Sequence, residues 1–463
     1  MDASVIALQA GIIGAGGAGF PTHVKLAAKA DCFIINAAEC EPLIEVDKFL
    51  IRTRAGDLVS GAADMAAAVG AARVLFAIKK AYAKEIGCLE AAIKKFAGNG
   101  NAPLSAPEIS VFKLKSFYPA GDEQIITKLV TGRSVPERGI PLDVGAVVDN
   151  VATALNFYDA KRGRPVTRRV LSVTGAVKQP LMLSAPIGTP ARLCVDAAGG
   201  AEEGSAIVMG GPMMGKFYPF SEIDSLFIKK TDGNILVLPP GHKLQMAAGM
   251  DIAAMRNRAR AACIRCRMCT DLCPRYLTGH NVLPHVVMQN FYRLESLAES
   301  GDAAEFERTF GSAANCSECG LCENYACPMT LSPRRVNAYV KLRLSRMRVN
   351  PARNMNPEAR EFFHERMAPT SRLTARLGLS RFAGHAGDGL LELAPGSVTL
   401  ALKQHIGAPC EPLVAAGMKV SEGDLIGKIP DNKLGANLHA SIGGTVASVG
   451  AEAITIANGS GCL

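Results

Sequence analysis

Eight of the 14 cysteines in this 463-residue chain lie between positions 263 and 327. The first group, Cys263, Cys266, Cys269 and Cys273-Pro274, has the spacing C-x2-C-x2-C-x3-C-P. The second, Cys316, Cys319, Cys322 and Cys327-Pro328, repeats it with one extra residue before its last cysteine. Three thiols two residues apart wrap a compact turn around one face of a cubic cluster and leave backbone N–H groups for its sulfides. The fourth ligand comes from further away, in two-cluster ferredoxins from the other run. The expectation is two [4Fe–4S] clusters, one on Cys263, Cys266, Cys269 and Cys327, the other on Cys316, Cys319, Cys322 and Cys273. The competing reading is structural zinc, which C-x2-C pairs often bind. A triple followed by Cys-Pro, occurring twice, exceeds what a four-ligand zinc site needs. The 42 residues between Cys273 and Cys316 call for helices between the runs. Cys32, Cys40, Cys88, Cys194, Cys410 and Cys462 read as small buried hydrophobes.

A second constellation suits a phosphate. Gly14-Ala15-Gly16-Gly17-Ala18-Gly19 satisfies G-x-G-x-x-G, and Glu39 follows 20 residues after Gly19. Such a loop offers backbone N–H groups to an anion. Its setting differs from the ordinary dinucleotide fold, because Ser4 to Ala10 reads at least as well as a helix as a strand. Pro21 also delays the helix that follows.

The elements that must carry these residues change in texture along the chain. The apolar runs Cys32–Asn36 and Val74–Ile78 suit buried parallel strands, with Ala-rich helices at 61–72 and 83–96. Short strands punctuated by Gly and Pro fill 168–240. Residues 245–350 are helical and carry the cysteines. Strands resume from Gly396 in two similar halves. The boundaries expected are an α/β domain over 1–165, a β-rich domain over 166–244, a helical two-cluster domain over 245–350, a linker over 351–394 and an all-β module over 395–463. A composition of 48% hydrophobic and 20% charged residues excludes general disorder. No run reaches the ~18 apolar residues of a membrane span, and the N-terminus lacks a basic secretory n-region. The expectation is a cytoplasmic protein without membrane insertion. The net charge of +9 is concentrated at Arg256–Arg267 and Arg334–Arg348. It suits a solvated face around an anionic redox centre better than a nucleic-acid stripe.

The run from Gly14 to Lys25 resembles a loop of the NADH-oxidising flavoprotein subunit of respiratory complex I. So do Asn36-Ala37-Ala38-Glu39-Cys40-Glu41-Pro42, Tyr118-Pro119-Ala120-Gly121-Asp122-Glu123 and Asp149-Asn150-Val151-Ala152-Thr153. Within that superfamily, Glu39 to Pro42 together with the cysteine runs resembles the RnfC group. Val173 to Pro180 resembles the opening of a soluble-ligand-binding β-grasp domain. Leu402–Pro409 and Leu438–Val446 resemble the barrel-sandwich (lipoyl-like) domain that opens RnfC proteins. Here it closes the chain, an order similar to the PduS-type cobalamin reductases of bacterial microcompartments. The fold implied is a multidomain α/β, β-grasp, helical ferredoxin-like and barrel-sandwich assembly.

The resemblance implies that Gly14, Gly16, Gly17, Gly19, Lys25, Asn36, Asn150 and Thr153 hold FMN. It implies that Glu39 and Glu41 line the flavin and nicotinamide pocket, that Phe20 stacks on NADH, and that Tyr118, Gly121, Asp122 and Glu123 close the far side. Ala38 and Asp122 depart from the family's usual Asp and Glu. The plainer alternative is that Glu39 and Glu41 cap a helix and Lys25 is solvated. The implied function is an NADH-dependent oxidoreductase passing hydride to FMN and single electrons through the clusters to a corrinoid. The implied partners are a corrinoid or corrinoid enzyme such as an adenosyltransferase, and a microcompartment shell protein. The alternative is an RnfC-like protein exchanging electrons between NAD(H) and ferredoxin or a membrane complex.

Overall fold

The computed structural model describes residues 2–98, 107–384, 387 and 389–459; Cys462 lies outside them. The chain begins with helices α1 (Ala3–Gln9) and α2 (Thr22–Leu26) on either side of the glycine loop. Then come β1 (Cys32–Ala37), α3 (Val46–Val69), β2 (Arg73–Lys79), α4 (Ala83–Gly98), β3 (Glu108–Leu114), β4 (Phe117–Tyr118), α5 (Glu123–Thr131), β5 (Ala146–Asn150) and α6 (Val151–Ala160). Strands β3-β2-β1-β5 form one parallel sheet in that order. Its apolar strands are sandwiched by helices, with Phe33, Ile35 and Phe76 among the fully buried side chains. The chain moves outward from β1 to β3 and returns on the other flank of β1 with β5. Strand order therefore reverses between β1 and β5, and their carboxyl ends open the crevice where α/β sheets bind ligands. Asn36 and Asn150 face each other in register at that crevice. The helix expected at 61–72 is the second half of α3, which crosses α6 at Gly61. A Cβ there would stand 2.4 Å from the Ala154 carbonyl oxygen.

The second unit contains β6 (Arg168–Gly175), β7 (Leu181–Pro186), α7 (Ala191–Ala197), β8 (Ala206–Met209), β9 (Lys216–Pro219) and β10 (Asn234–Leu238). Its strands run β7-β6-β10-β8-β9, with β6 and β10 parallel and the other neighbours antiparallel. The helical segment comprises α8 (Lys243–Ala248), α9 (Ile252–Ala262), α10 (Met268–Asp271), α11 (Pro274–Leu277), α12 (Pro284–Asn290), α13 (Leu294–Glu299), α14 (Ala303–Phe310) and α15 (Pro333–Arg346). Helices α12 to α14 lie between the two cysteine runs, and Val287, Phe306, Phe310 and Val336 pack their core.

Described residues of the 351–394 segment, expected as a linker, pair with their neighbours. Strand β11 (Ala368–Pro369) pairs with β4, and α16 (Thr370–Leu377) follows it. Strand β12 (Leu390–Glu392) adds a parallel edge to β7. Short backbone pairings of this kind have no sequence periodicity to announce them.

The last unit is β13 (Ser397–Ala401), β14 (Glu411–Pro412), β15 (Lys419–Val420), β16 (Leu425–Lys428), β17 (Leu438–His439), β18 (Gly444–Val449) and β19 (Ala453–Ala457). They form two sheets, β13-β19-β18-β15 and β14-β16-β17. In chain order this module is separated from the glycine loop by the cysteine segment; in space it packs against that loop. Ile406 N–H donates to the Gly19 carbonyl at 3.0 Å, and Val398, Leu400 and Ile426 join the same apolar core as Ala7 and Ile12. Buried Lys230 donates to the carbonyls of Gly11 and Asn437, each at 2.7 Å, and so joins three units. Among the described residues, no helix is long and apolar enough to cross a membrane.

Candidate functional site

The glycine loop is closed at its base by Gly14 N–H to the Phe20 carbonyl (2.8 Å) and by the Ile13–Pro21 bridge. Thr153, in the first turn of α6, accepts from Ala15 N–H at 2.9 Å. Arg169, wholly buried, donates to the Ala15 carbonyl at 2.7 Å. The exposed tip, Gly16 to Ala18, overhangs the crevice beside Asn150, whose Cβ would lie 3.4 Å from a Cβ on Gly16. Gly17 has φ +111 with nothing within 4 Å of where a Cβ would stand, which is open space for a ligand at the backbone. Among the described residues, the N–H groups of Gly16, Gly17 and Ala18 donate to no backbone carbonyl. They suit an anion such as the phosphate of FMN.

Lys25 reaches into the crevice from α2. Its Nζ donates to the Val148 carbonyl (2.5 Å) and to Glu123 Oε1 (3.2 Å), and lies 3.6 Å from Asp149 Oδ1. Burial pulls its pKa down, but Asp149 and Glu123 outweigh that, so the ammonium is held charged. Burial pushes Asp149 up to about 6. Asn36 donates to the Gly121 carbonyl at 2.7 Å, and a Cβ on Gly121 would meet Asn36 and Cys40 at 3.2–3.3 Å. A side chain at 121 would displace Asn36 or Cys40, so glycine here keeps the Asn36–Gly121 contact close. Phe20 is half-buried at the mouth, with Lys25 Nζ 6.0 Å from its ring centre.

Three of the acidic positions expected at the pocket are held by backbone N–H groups or a guanidinium. Glu39 accepts from Asp47 N–H (2.9 Å) and Lys48 N–H (3.4 Å), so it caps α3. Glu41 accepts from Met213 and Met214 N–H at 2.8 and 3.2 Å, tying the crevice to the second unit. Burial pushes its pKa up to about 7. Asp122 caps α5 through Gln124 and Ile125 N–H and pairs with Arg275 at 2.6 Å, two residues after Cys273. In each case a backbone N–H or a guanidinium from another segment is a stronger partner than open solvent. Tyr118 is buried, and its hydroxyl donates to the Cys319 carbonyl at 2.6 Å. The crevice wall thus touches the cysteine segment twice.

The eight clustered cysteines separate into two quartets. Cys263, Cys266, Cys269 and Cys327 line an open pocket together with His285, Met288 and Leu331. Cys273, Cys316, Cys319 and Cys322 line another with Pro274 and Arg334. Both loops use the same backbone device. The residues before and after the middle cysteine are left-handed, Arg265 (φ 56) and Arg267 (φ 64) in one, Glu318 (φ 59) and Gly320 (φ 79) in the other. That alternation turns successive N–H groups inward, which suits an anionic cluster. The extra residue before Cys327 is absorbed in one π-turn, Cys322–Ala326, closed by Cys327 N–H to the Cys322 carbonyl at 2.9 Å. Helix α10 makes the matching step from Cys269 to Cys273.

Burial raises the thiol pKa of Cys269 to about 12, and Cys327, Cys263 and Cys266 add to it. Cys322 is driven up likewise by burial, then Cys316, Glu323, Cys319 and Cys273. Thiols that oppose one another's ionisation would be stabilised as thiolates by a cation bound among them. The quartets differ in exposure. Cys266 is exposed, whereas Cys273, Cys319 and Cys322 are buried. The inner quartet is the one that meets Tyr118, and Asp122 meets its neighbour Arg275. Asp47 carries no sequence signal, and Asp149 and Cys40 were given no role in the pocket; the three stand beside Asn150, Lys25 and Gly121. Asp149 and Cys40 are each adjacent to a selected residue, and that adjacency was the available signal.

Residues 7–159 match the family model of the Nuo51 FMN-binding domain, 262–332 that of a 4Fe-4S dicluster domain, and 392–463 that of the RnfC barrel sandwich hybrid domain. The chain is 40% identical to the cobalamin reductase PduS of Salmonella typhimurium, over 97% of this chain and 95% of that protein. It is 38% identical to the PduS of Citrobacter freundii over the same shares. One component of the proton-translocating ferredoxin:NAD(+) oxidoreductase complex of Clostridium ljungdahlii is 35% identical, over 58% of this chain and 55% of that protein.

Proposed function

The chain belongs to the family of the cobalamin reductase PduS and is an NADH-dependent electron-transfer reductase carrying FMN and [4Fe–4S] clusters, and we propose that its final acceptor is a corrinoid. The near-complete coverage of the PduS relatives, against about half of the ferredoxin:NAD(+) oxidoreductase component, favours this over a membrane-complex role.

When bound, FMN would supply the conversion between two-electron hydride and single electrons, and the clusters a one-electron path. Gly14 to Gly19 and Thr153 would hold the FMN phosphate, Lys25 would offset its charge, and Asn36, Asn150 and Gly121 would bound its ring. Phe20 at the mouth would stack on the dinucleotide and exclude water. Glu123 and Asp149 keep Lys25 charged and oriented. Glu39 and Glu41 shape the crevice by fixing α3 and the 213–214 loop; Tyr118 and Asp122 fix its wall to the inner quartet. Cys273, Cys316, Cys319 and Cys322 would hold the cluster next to the flavin, and Cys263, Cys266, Cys269 and Cys327 the one nearer solvent. The observation that carries this reading is the junction of crevice wall and inner quartet at Tyr118 and Asp122.

The strand order of the second unit, with its central parallel pair and single helix, supports a β-grasp domain. An adenosyltransferase and a microcompartment shell protein are the partners this reading implies, with residence in the cytoplasm or inside that shell. Anaerobic purification with iron and flavin counts, NADH titration under visible and EPR detection, and addition of cob(III)alamin tests it. Bleaching of flavin and clusters by NADH, reversed by cob(III)alamin, is expected. Clusters that NADH fails to reduce would refute it.

A further inference from the structure

The loop over the outer quartet is unlike its inner counterpart. Every residue from Ile264 to Met268 is exposed, as are Pro328 to Thr330 across the cavity. Ile264 (61% exposed), Met268 (42%) and Met329 (37%) make a small apolar patch over the thiols. Arginines ring it. Arg258 donates to the Thr330 carbonyl and hydroxyl, Arg267 pairs with Asp271, and Arg376 donates to the Cys327 carbonyl. Arg265 and Arg260, the latter exposed in the last turn of α9, have no ion-pair partner among the described residues. The one carboxylate paired here, Asp271, is already shared by Arg267 and Arg366. Equivalent residues of the inner loop, Ser317 to Leu321, are partly or fully buried.

A small apolar contact with a charged rim is the anatomy of a brief protein–protein encounter. The rim charge steers the approach and is weakened by salt. We propose that this face, centred on Ile264, Arg265, Met268 and Met329, is the electron-exit docking surface, and that it fits an acidic protein carrying a one-electron acceptor. The proposal rests on the reductase reading above. NADH gives up two electrons, two acceptor molecules each gain one, and NAD+ and a proton are released. Solvent-exposed Cys266 allows an acceptor to approach the outer quartet, whereas three of the four inner cysteines, Cys273, Cys319 and Cys322, are buried and Cys316 is half-buried.

The test uses anaerobic holoprotein and two haem probes of opposite charge, acidic cytochrome b5 and basic cytochrome c. Binding is read by calorimetry and haem reduction by absorbance, each normalised to the clusters that NADH reduces by EPR. Cytochrome b5 is expected to bind more tightly, with affinity falling several-fold on moving to high salt. R265E should weaken it about tenfold, the equivalent of ~1.4 kcal/mol, and R260E to a lesser degree. Where R265E loses its outer cluster signal, R260E and Met329→Ser carry the test. Equal binding by both cytochromes, or affinity indifferent to salt and to these substitutions, would overturn the proposal. So would Arg265-dependent binding of a short DNA duplex in preference to cytochrome b5. Clusters that NADH leaves oxidised would instead count against the reductase reading, so the two failures are distinguishable.

Discussion

Glu41 shows how far along the chain a carboxylate's partners can lie. Its neighbours in the chain mark it as pocket lining, yet its partners, Met213 and Met214, lie more than 170 residues away. Nothing local signals that contact. Burial keeps Glu41 protonated to about pH 7, against an ordinary value of 4.5. The folded state therefore holds a proton that the unfolded chain releases, and stability falls as pH rises between those values. Glu41→Gln should abolish this pH dependence, at a pH-independent cost of ~1–3 kcal/mol for the one N–H its amide nitrogen cannot accept. Thermal midpoints of variant and parent across that range check it. Tyr118 is a second case. Phe at 118 would orphan the buried Cys319 carbonyl, a cost of ~1–3 kcal/mol, and loosen the wall between crevice and inner quartet. Stopped-flow traces of Tyr118→Phe should show flavin bleaching by NADH at near-normal rate with cluster reduction lagging. The cysteines, by contrast, were legible because ligand geometry is set by spacings of two and three residues.

At the scale of elements, the parallel sheet and its helices followed from apolar runs. The reversal of strand order at β1/β5 required the pairing itself. The π-turn before Cys327 is a physical answer to a visible irregularity in spacing. An extra residue would rotate Cys327 away from its cavity in an ordinary α-turn, and widening the turn restores its direction. Strands β11 and β12 were hidden because two or three residues carry no alternation to read. The α3–α6 crossing offers a test of how these elements support the glycine loop. Gly61→Val would drive a side chain into the Ala154 carbonyl, with overpacking of ~1–3 kcal/mol. Because α6 begins with Asn150 and Thr153, the variant should also bind FMN more weakly. Fluorescence titration of the apoprotein with FMN, beside its thermal midpoint, measures both.

For the molecule as a whole, chain order is a poor guide to neighbourhood. The order flavin domain, β-rich unit, cysteine segment, sandwich suggests a line of modules with the clusters in the middle. In space the sandwich returns to the glycine loop, and the cysteine segment leans on the crevice from the other side. Lys230 is the pin of the first arrangement. Its burial lowers its pKa to about 8, and both of its acceptors are backbone carbonyls of other units. Lys230→Met should leave those carbonyls unsatisfied at ~1–3 kcal/mol each and free the sandwich to swing. Limited proteolysis should then cut between the cysteine segment and residue 395 faster than in the parent, releasing a fragment of the sandwich's size.

The uneven burial of the two quartets also sets the order in which the protein ages. Oxidants reach thiolates and iron by the same route that a partner would, so Cys266 is where damage begins. In air, the solvent-side cluster should disappear first and leave a species with about half its iron, its flavin intact and its inner cluster still reducible by NADH. Iron counts and EPR spectra taken through a timed exposure would follow that sequence. A preparation handled in oxygen would then keep its colour and its flavin chemistry while losing the ability to hand electrons onward.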